Sequence, residues 1–348
     1  MIFQLIEEGK LRLDDHLDKF FPQIPNAKKI TISHILSHRS GIPDMVVEEG
    51  WRAQHRTRDE VIKAIVKGNP NFEPDSQHSY SNTGYVVLGY ILEKLEGKPY
   101  KEILEQRIIS KLGLKNTYMG DGDTNPDNNE SLAYNYFGQW KEAREINLSI
   151  PAGAGAILST PEDMVIFIQS LFDLKLISEN SLEQMKTMRD GEGMGMEQFS
   201  FAGKTLYGHT GGSNVSGAWL AYEPSEKLAM AYTTNAKPFK VSNIMDAVFD
   251  IYYNIPYEIP TFEALEVSPE ILDQYAGVYV SSTTSKKMTI VRNGSTIAIE
   301  NGSTPIPLEA TAIDEFTIAP RVTVTFDTAK KHMIIKRPQG ESVFEREN

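Results

Sequence analysis

The first fifteen residues, MIFQLIEEGKLRLDD, set Ile2, Leu5 and Ile6 at helical spacing, and Gly9 with Lys10 reads as a helix end. No Ser, Thr, Asp or Asn precedes the first apolar turn, so the helix has a stop signal but no start signal. About two turns are too few to stand alone in water. Either packing holds the segment or it is the tail of a longer helix. Further on, Thr57 and Glu60 form a capping box before Val61, Ala64 and Ile65, and Gly68 closes that helix. A second amphipathic stretch follows YSNTG, with Val87, Ile91, Leu92 and Leu95 facing inward and Gly97 at its end. Residues 121–130, DGDTNPDNNE, read as a polar loop. Thr160-Pro161-Glu162-Asp163 combines a cap, a proline at the first position and acids in the first turn, and so starts another helix.

Over 204–235 the period changes from helical to alternating. TLYGHTGG, GAWLAYEP and KLAMAYTTN predict three strands, the last two joined by a turn at Pro224-Ser225. A helix over 242–253 follows. Residues 254–266 carry two prolines and read as a linker. Beyond them the texture is β: KKMTIVRNGSTIAIENG alternates around Asn293-Gly294, a hairpin signal, and RVTVTFD and HMIIKR continue the pattern. The expected fold class is α+β in two domains. Residues 1–262 form an antiparallel sheet flanked by helices. Residues 267–348 form a short helix with a small antiparallel barrel or sandwich.

Composition narrows this picture. A net charge of -12 argues against a nucleic-acid surface. No apolar stretch approaches the ~20 residues of a membrane span, and Met1 leads into an amphipathic pattern rather than a signal peptide. The absence of cysteine removes disulfides, a thiol nucleophile and thiolate metal sites.

Three stretches carry candidate chemistry. HSYSNTGY puts Tyr80, Ser81 and Asn82 on a turn before a helix; YGHTGGSN puts His209, Thr210, Gly211 and Gly212 at a strand end; PAGAGAILSTPEDM precedes a capped helix. Each alone is weak. Tyr80 also reads as a buried tyrosine, Asn82 as an N-cap and His209 as a surface strand end. His34 and His38 stand four apart, a possible metal pair, but without the Glu of H-E-x-x-H or a third ligand. Gly153 and Gly155 lack the Gly-Lys-Ser/Thr of a phosphate loop and read as a close-packing turn. Trp219 and Tyr222 read as cross-strand packing.

Taken in order, LIEEGKLRLDDHLDKFFPQIP, ITISHILSHRSGIPD, YSNTGYVVLGYILEKLEGKPY, GAGAILSTPEDM and YGHTGG resemble the serine β-lactamase and penicillin-binding-protein superfamily, in particular its class C-like D-aminopeptidases and esterases. ILDQYAGVY resembles the start of the lipocalin-like β domain often appended to them. The resemblance implies a serine hydrolase performing acyl transfer on a D-peptide, β-lactam or ester, a small-molecule or peptide substrate, with no metal or organic cofactor; such proteins are often exported. YSN stands for the family's second motif and HTG for its third. By resemblance, Tyr80 is the general base, with its pKa pulled below ~10 by a lysine ammonium. Asn82 orients that lysine and bonds the substrate, and the Gly212 N–H is half of an oxyanion hole. His209, Thr210 and Gly211 bind substrate, with His209 in the place of the family's lysine, there to contact a substrate carboxylate or to support Tyr80.

The first motif, Ser-x-x-Lys, is absent from all 348 residues. In the family it lies at the start of the helix whose end reads IFQLIEEGKL, after two strands of the sheet. The expectation is therefore a chain lacking its nucleophile and those strands, inactive as it stands. The alternative is a protein that binds peptides or cell-wall fragments in the same cleft without cleaving them.

Overall fold

The structure, a computed structural model, describes residues 1–348 except 46–53, 137–139, 150–152, 202, 214, 237–240, 258–264, 282–286, 301–304, 320–321, 338–339 and 348. In chain order its elements are α1 (Ile2–Glu7), α2 (Ile32–Leu36), α3 (Arg58–Lys67), α4 (Asn82–Glu96), α5 (Tyr100–Leu104), α6 (Ser110–Leu112), β1 (Tyr118–Met119), β2 (Ala133–Tyr136), β3 (Trp140–Ala143), β4 (Ile157–Leu158), α7 (Pro161–Phe172), α8 (Glu179–Lys186), β5 (Glu197–Phe201), β6 (Lys204–Gly212), β7 (Gly217–Glu223), β8 (Leu228–Thr234), α9 (Val241–Tyr252), α10 (Pro269–Tyr275), β9 (Gly277–Ser281), β10 (Lys287–Asn293), β11 (Thr296–Ile299), β12 (Ile306–Ala312), β13 (Glu315–Ala319), β14 (Val322–Asp327), β15 (His332–Arg337) and β16 (Gly340–Arg346). They fall into two compact units, Met1–Ser131 with Arg144–Asn235, and Leu132–Ala143 with Ala236–Asn348.

In the first unit α1 has no side-chain cap, as its sequence predicts. Packing holds it instead. Leu5 is fully buried in a core shared with Leu17, Ile32, Ile35, Ile65, Val87 and Ile91, and Gln4 Nε2 donates to the Leu176 carbonyl at 3.1 Å. The Thr57 capping box on α3 is present in full. Helix α4 ends at Gly97 in the left-handed conformation, with Val87, Ile91 and Leu92 buried. Its N-cap is Ser81, whose hydroxyl accepts from the Gly84 N–H; Asn82 is the first helical residue, not the cap. Thr160 caps α7 with Pro161 behind it. Strands β5-β6-β7-β8 form one antiparallel sheet in that order. The sequence pattern predicts the last three. It misses β5, whose five residues alternate only two phenylalanines after a Gly-Met run. Gly153 is the packing turn: its φ is +87°, and a Cβ there would lie 2.4 Å from the Tyr85 carbonyl oxygen of α4. Gly155 faces open space, and Pro151 and Ala152 lie outside the described residues.

The metal pair is ruled out by local geometry. Helix α2 ends at Leu36 and His38 turns away at φ +55°, so the two histidines do not share a helix face. His34 Nδ1 is taken by the Thr31 N–H in a capping box. Among the described residues no group of three His, Asp or Glu is placed to hold a metal ion, and no helix is long and apolar enough to cross a membrane.

In the second unit, strands β9–β16 close into an eight-stranded antiparallel barrel in the order β10-β11-β12-β13-β14-β15-β16-β9, which decides between barrel and sandwich. Asn293 pairs with Thr296, so the hairpin turn is Gly294-Ser295, with Gly294 at φ +67°. Leu272 and Tyr275 of α10 are buried with Phe316, Val324, Phe326 and Met333, and the Tyr275 ring stacks on Phe326 at 4.6 Å. An eight-stranded barrel is just wide enough for side chains to fill. The hairpin β2–β3 and helix α9 also belong to this unit. Most of the expected linker, 258–264, lies outside the described residues.

Candidate active site

Strand β6 has two different edges. One runs along β7 from Tyr207 opposite Tyr222 to Gly212 opposite Gly217. The other pairs with β5 only as far as Gly208 opposite Glu197. From His209 to Gly212 that edge has no strand beside it among the described residues. The Ser213 N–H donates to the Ser216 carbonyl at 3.1 Å, closing the turn toward β7. The Thr210 N–H points the other way, to Glu197 Oε2 at 3.2 Å. Because backbone donors alternate sides along a strand, the Gly212 N–H also faces the open edge. Glu145 steadies the turn by accepting from the Ser216 N–H at 2.7 Å.

Tyr80 reaches the same place from the loop before α4. Its ring lies 6.3 Å from that of His209 and stacks on His38 at 4.0 Å, which leaves it 38% exposed. Asn82 Nδ2 donates to Asp44 Oδ2 at 2.8 Å, and the Thr83 N–H donates to the other Asp44 oxygen at 3.3 Å. The expected lysine partner of Asn82 is thus replaced, among the described residues, by a carboxylate. The fold brings together Tyr80, Asn82 and the 209–212 edge, which lie far apart in the chain.

The electrostatics differ from expectation at Tyr80. Its phenol is pushed up to about 12, first by burial and then by the charges of Glu192, Glu197 and Asp44. Among the described residues no cation depresses it; the charges that act on it are negative. His38 moves the other way, down to about 4, because burial disfavours its charged form, with His78 and His209 adding to the effect. His38 Nδ1 accepts the Ser81 N–H at 3.1 Å, so the ring is neutral with its proton on Nε2, 4.0 Å from Glu192. Burial and neighbouring Glu197 raise the Glu192 carboxyl above its usual range. Glu197 grips Thr210 twice, accepting from the backbone N–H and from Oγ1 at 2.9 Å. His209 Nδ1 lies 2.6 Å from the Thr210 carbonyl oxygen and 3.6 Å from Glu197.

His38, Asp44, Glu192 and Glu197 are the members of this site that sequence reasoning missed. Glu192 and Glu197 lie on either side of a Gly-Met run, and only Glu197 is on a strand, one too short to announce itself. His38 drew notice only as a metal ligand.

Residues 1–252 match the family described as Beta-lactamase. The chain belongs to the β-lactamase family. Members of this family are serine hydrolases. The chain is 32% identical to penicillin-binding protein PbpX of Bacillus subtilis over 56% of its own length and 49% of that protein. With penicillin-binding protein 4* of the same organism it shares 25% identity over 80% of its length and 68% of the other. It spans about half of PbpX and likewise 50% of the D-alanyl-D-alanine-carboxypeptidase/endopeptidase AmpH of Escherichia coli. Among solved structures, the D-amino acid amidase from Ochrobactrum anthropi SV3 complexed with L-phenylalanine superimposes with a TM-score of 0.66 at 27% identity, covering 73% of this chain and 80% of that one. The penicillin-binding protein homologue from Pyrococcus abyssi covers 98% of the chain and 84% of its own at 22% identity and a TM-score of 0.61, a likeness of fold.

Proposed function

We propose that this chain forms the substrate-binding side of a serine-hydrolase cleft for carbonyl derivatives of D-amino acids: amides, esters or short peptides. The observation that carries the reading is the outward Gly212 N–H on the open edge of β6, across from Tyr80. A carbonyl laid along that edge accepts a bond from the Gly212 N–H, and the bond strengthens as negative charge develops on the oxygen. Tyr80, protonated at neutral pH, serves as a hydrogen-bond donor to the group leaving or arriving. Asn82, fixed by Asp44, sets the floor beside it. The preference for D-amino acid derivatives follows the names of relatives, the amidase, AmpH and the teichoic acid D-alanine hydrolase of Staphylococcus aureus. The 348 residues contain no Ser-x-x-Lys, so the role assigned to them is binding and orientation.

The test uses the neutral ligand N-acetyl-D-alaninamide in calorimetric titration. The wild type should bind it. Gly212→Pro, which removes the outward N–H without removing a bond to β7, should lose at least about tenfold in affinity, roughly the worth of one hydrogen bond. A fluorescent penicillin should leave no covalent label on this chain. Unchanged binding by Gly212→Pro, or labelling of the wild type, would overturn the reading.

A further inference from the structure

The substrate class can be narrowed by what already occupies the open edge. Thr210 offers two donors there, its N–H and its hydroxyl, in the fork that suits a carboxylate. Both are taken by the carboxylate of Glu197, at 3.2 and 2.9 Å. The Glu197 side chain, 19% exposed, leans from the first residue of β5 into the space where a third strand would lie. Its neighbours do not favour a second anion. Glu192 stands close enough that the Glu197 charge raises its carboxyl, and both of them with Asp44 act on Tyr80. His209, which could have met a substrate carboxylate, instead has Nδ1 turned to the Thr210 carbonyl oxygen and to Glu197.

We infer that Glu197 acts as a built-in occupant of the carboxylate position at Thr210, so that the cleft takes D-amino acid derivatives carrying a free ammonium and refuses those carrying a free carboxylate. This deepens the reading of the cleft given above and rests on it. An incoming carboxylate finds no free donor at Thr210 and faces like charge at Glu197 and Glu192. An incoming ammonium finds both carboxylates as acceptors and compensates charge that is already half-withdrawn from water. The selected substrates are therefore amino acid amides, amino acid esters and peptides presented by their amino end. Peptides presented by a carboxyl end, and penicillins with their carboxylate, are refused.

Calorimetric titration with three ligands decides it: D-alaninamide, cationic at neutral pH; N-acetyl-D-alanine, anionic; and neutral N-acetyl-D-alaninamide. The wild type should bind the cation at least about tenfold more tightly than the anion, the scale of one charged hydrogen bond. Glu197→Gln should bring the two within about twofold, and a near-ultraviolet circular dichroism spectrum matching that of the wild type shows that the variant folds. Glu192→Gln leaves both Thr210 bonds in place and should narrow the ratio less. Glu179→Gln removes the same charge from an exposed site on α8 and should leave the ratio alone. Equal binding of cation and anion by the wild type, or a ratio that survives Glu197→Gln, overturns the inference and leaves the cleft reading standing if the neutral ligand binds. Failure of the wild type to bind the neutral ligand removes the cleft reading, and this inference with it.

Discussion

Tyr80 sits on His38, and the two rings respond to the same burial in opposite directions. The phenol keeps its proton up to about 12 and the imidazole stays unprotonated down to about 4. Both are therefore neutral at physiological pH, and their stacking at 4.0 Å sets no net charge into the core. His38 makes a pH signature. In the unfolded chain it takes a proton below 6.5, but in the fold only near 4. Between those values the unfolded state binds more protons, so stability falls as the pH is lowered through the window, by an amount approaching about 3 kcal/mol at its acid end. The variant His38→Asn, whose side chain tolerates the left-handed backbone at this position, should show a shallower decline between pH 6.5 and 4. Urea midpoints measured across that range, wild type minus variant, check it. A parallel decline in the two proteins would remove His38 as the source.

Among elements, β6 combines a tight seam with an open one. At Gly208 a Cβ would sit 1.8 Å from the Leu220 carbonyl oxygen and 2.7 Å from the Ala221 Cα, all backbone and unable to rotate away. Three residues on, a Cβ at Gly211 would meet the Ala218 Cβ at an ordinary 3.5 Å. Gly208→Ala should thus force β6 off β7 and cost at least about 2 kcal/mol, with lost amide protection around Leu220. Gly211→Ala should change stability by less than about 0.5 kcal/mol. Chemical denaturation of both, with hydrogen exchange on the first, separates them. The glycines look alike in YGHTGG; only the pairing register distinguishes them. This marks where the sequence was readable. Periodicity and caps announced α3, α4, α7, β6, β7 and β8 because each needs only local signals: the Thr57 box, the Ser81 region, Thr160-Pro161, alternation. The position of Glu197 depends on where β5 stops relative to β6, a long-range fact with no local trace. So the 209–212 edge was legible as a candidate and its carboxylate was not. The alternative reading of Asn82 as an N-cap likewise misses by one residue, since the adjacent Ser81 accepts the Gly84 N–H.

At the scale of the molecule, each unit closes its own core. The barrel's is centred on Phe316, which is fully buried and meets Tyr275 edge-on at 5.5 Å and Phe326 at 5.6 Å. Phe316→Ala should cost about 3–5 kcal/mol in the barrel. Hydrogen exchange should show the loss in β9–β16, while amides of α4, packed in the other core, keep their protection. A uniform loss along the chain would contradict two self-contained cores.

The barrel joins its first strand to its last: β16 pairs with β9 from Phe344 opposite Ser281 to Arg346 opposite Tyr279. Ring closure therefore waits until Gly340–Arg346 has been made. A premature stop before Gly340 would strand β9 and β15 with bare ladders of N–H and C=O groups, ready to capture strands from neighbouring chains. Messages broken at that point would yield aggregates rather than a barrel one strand short.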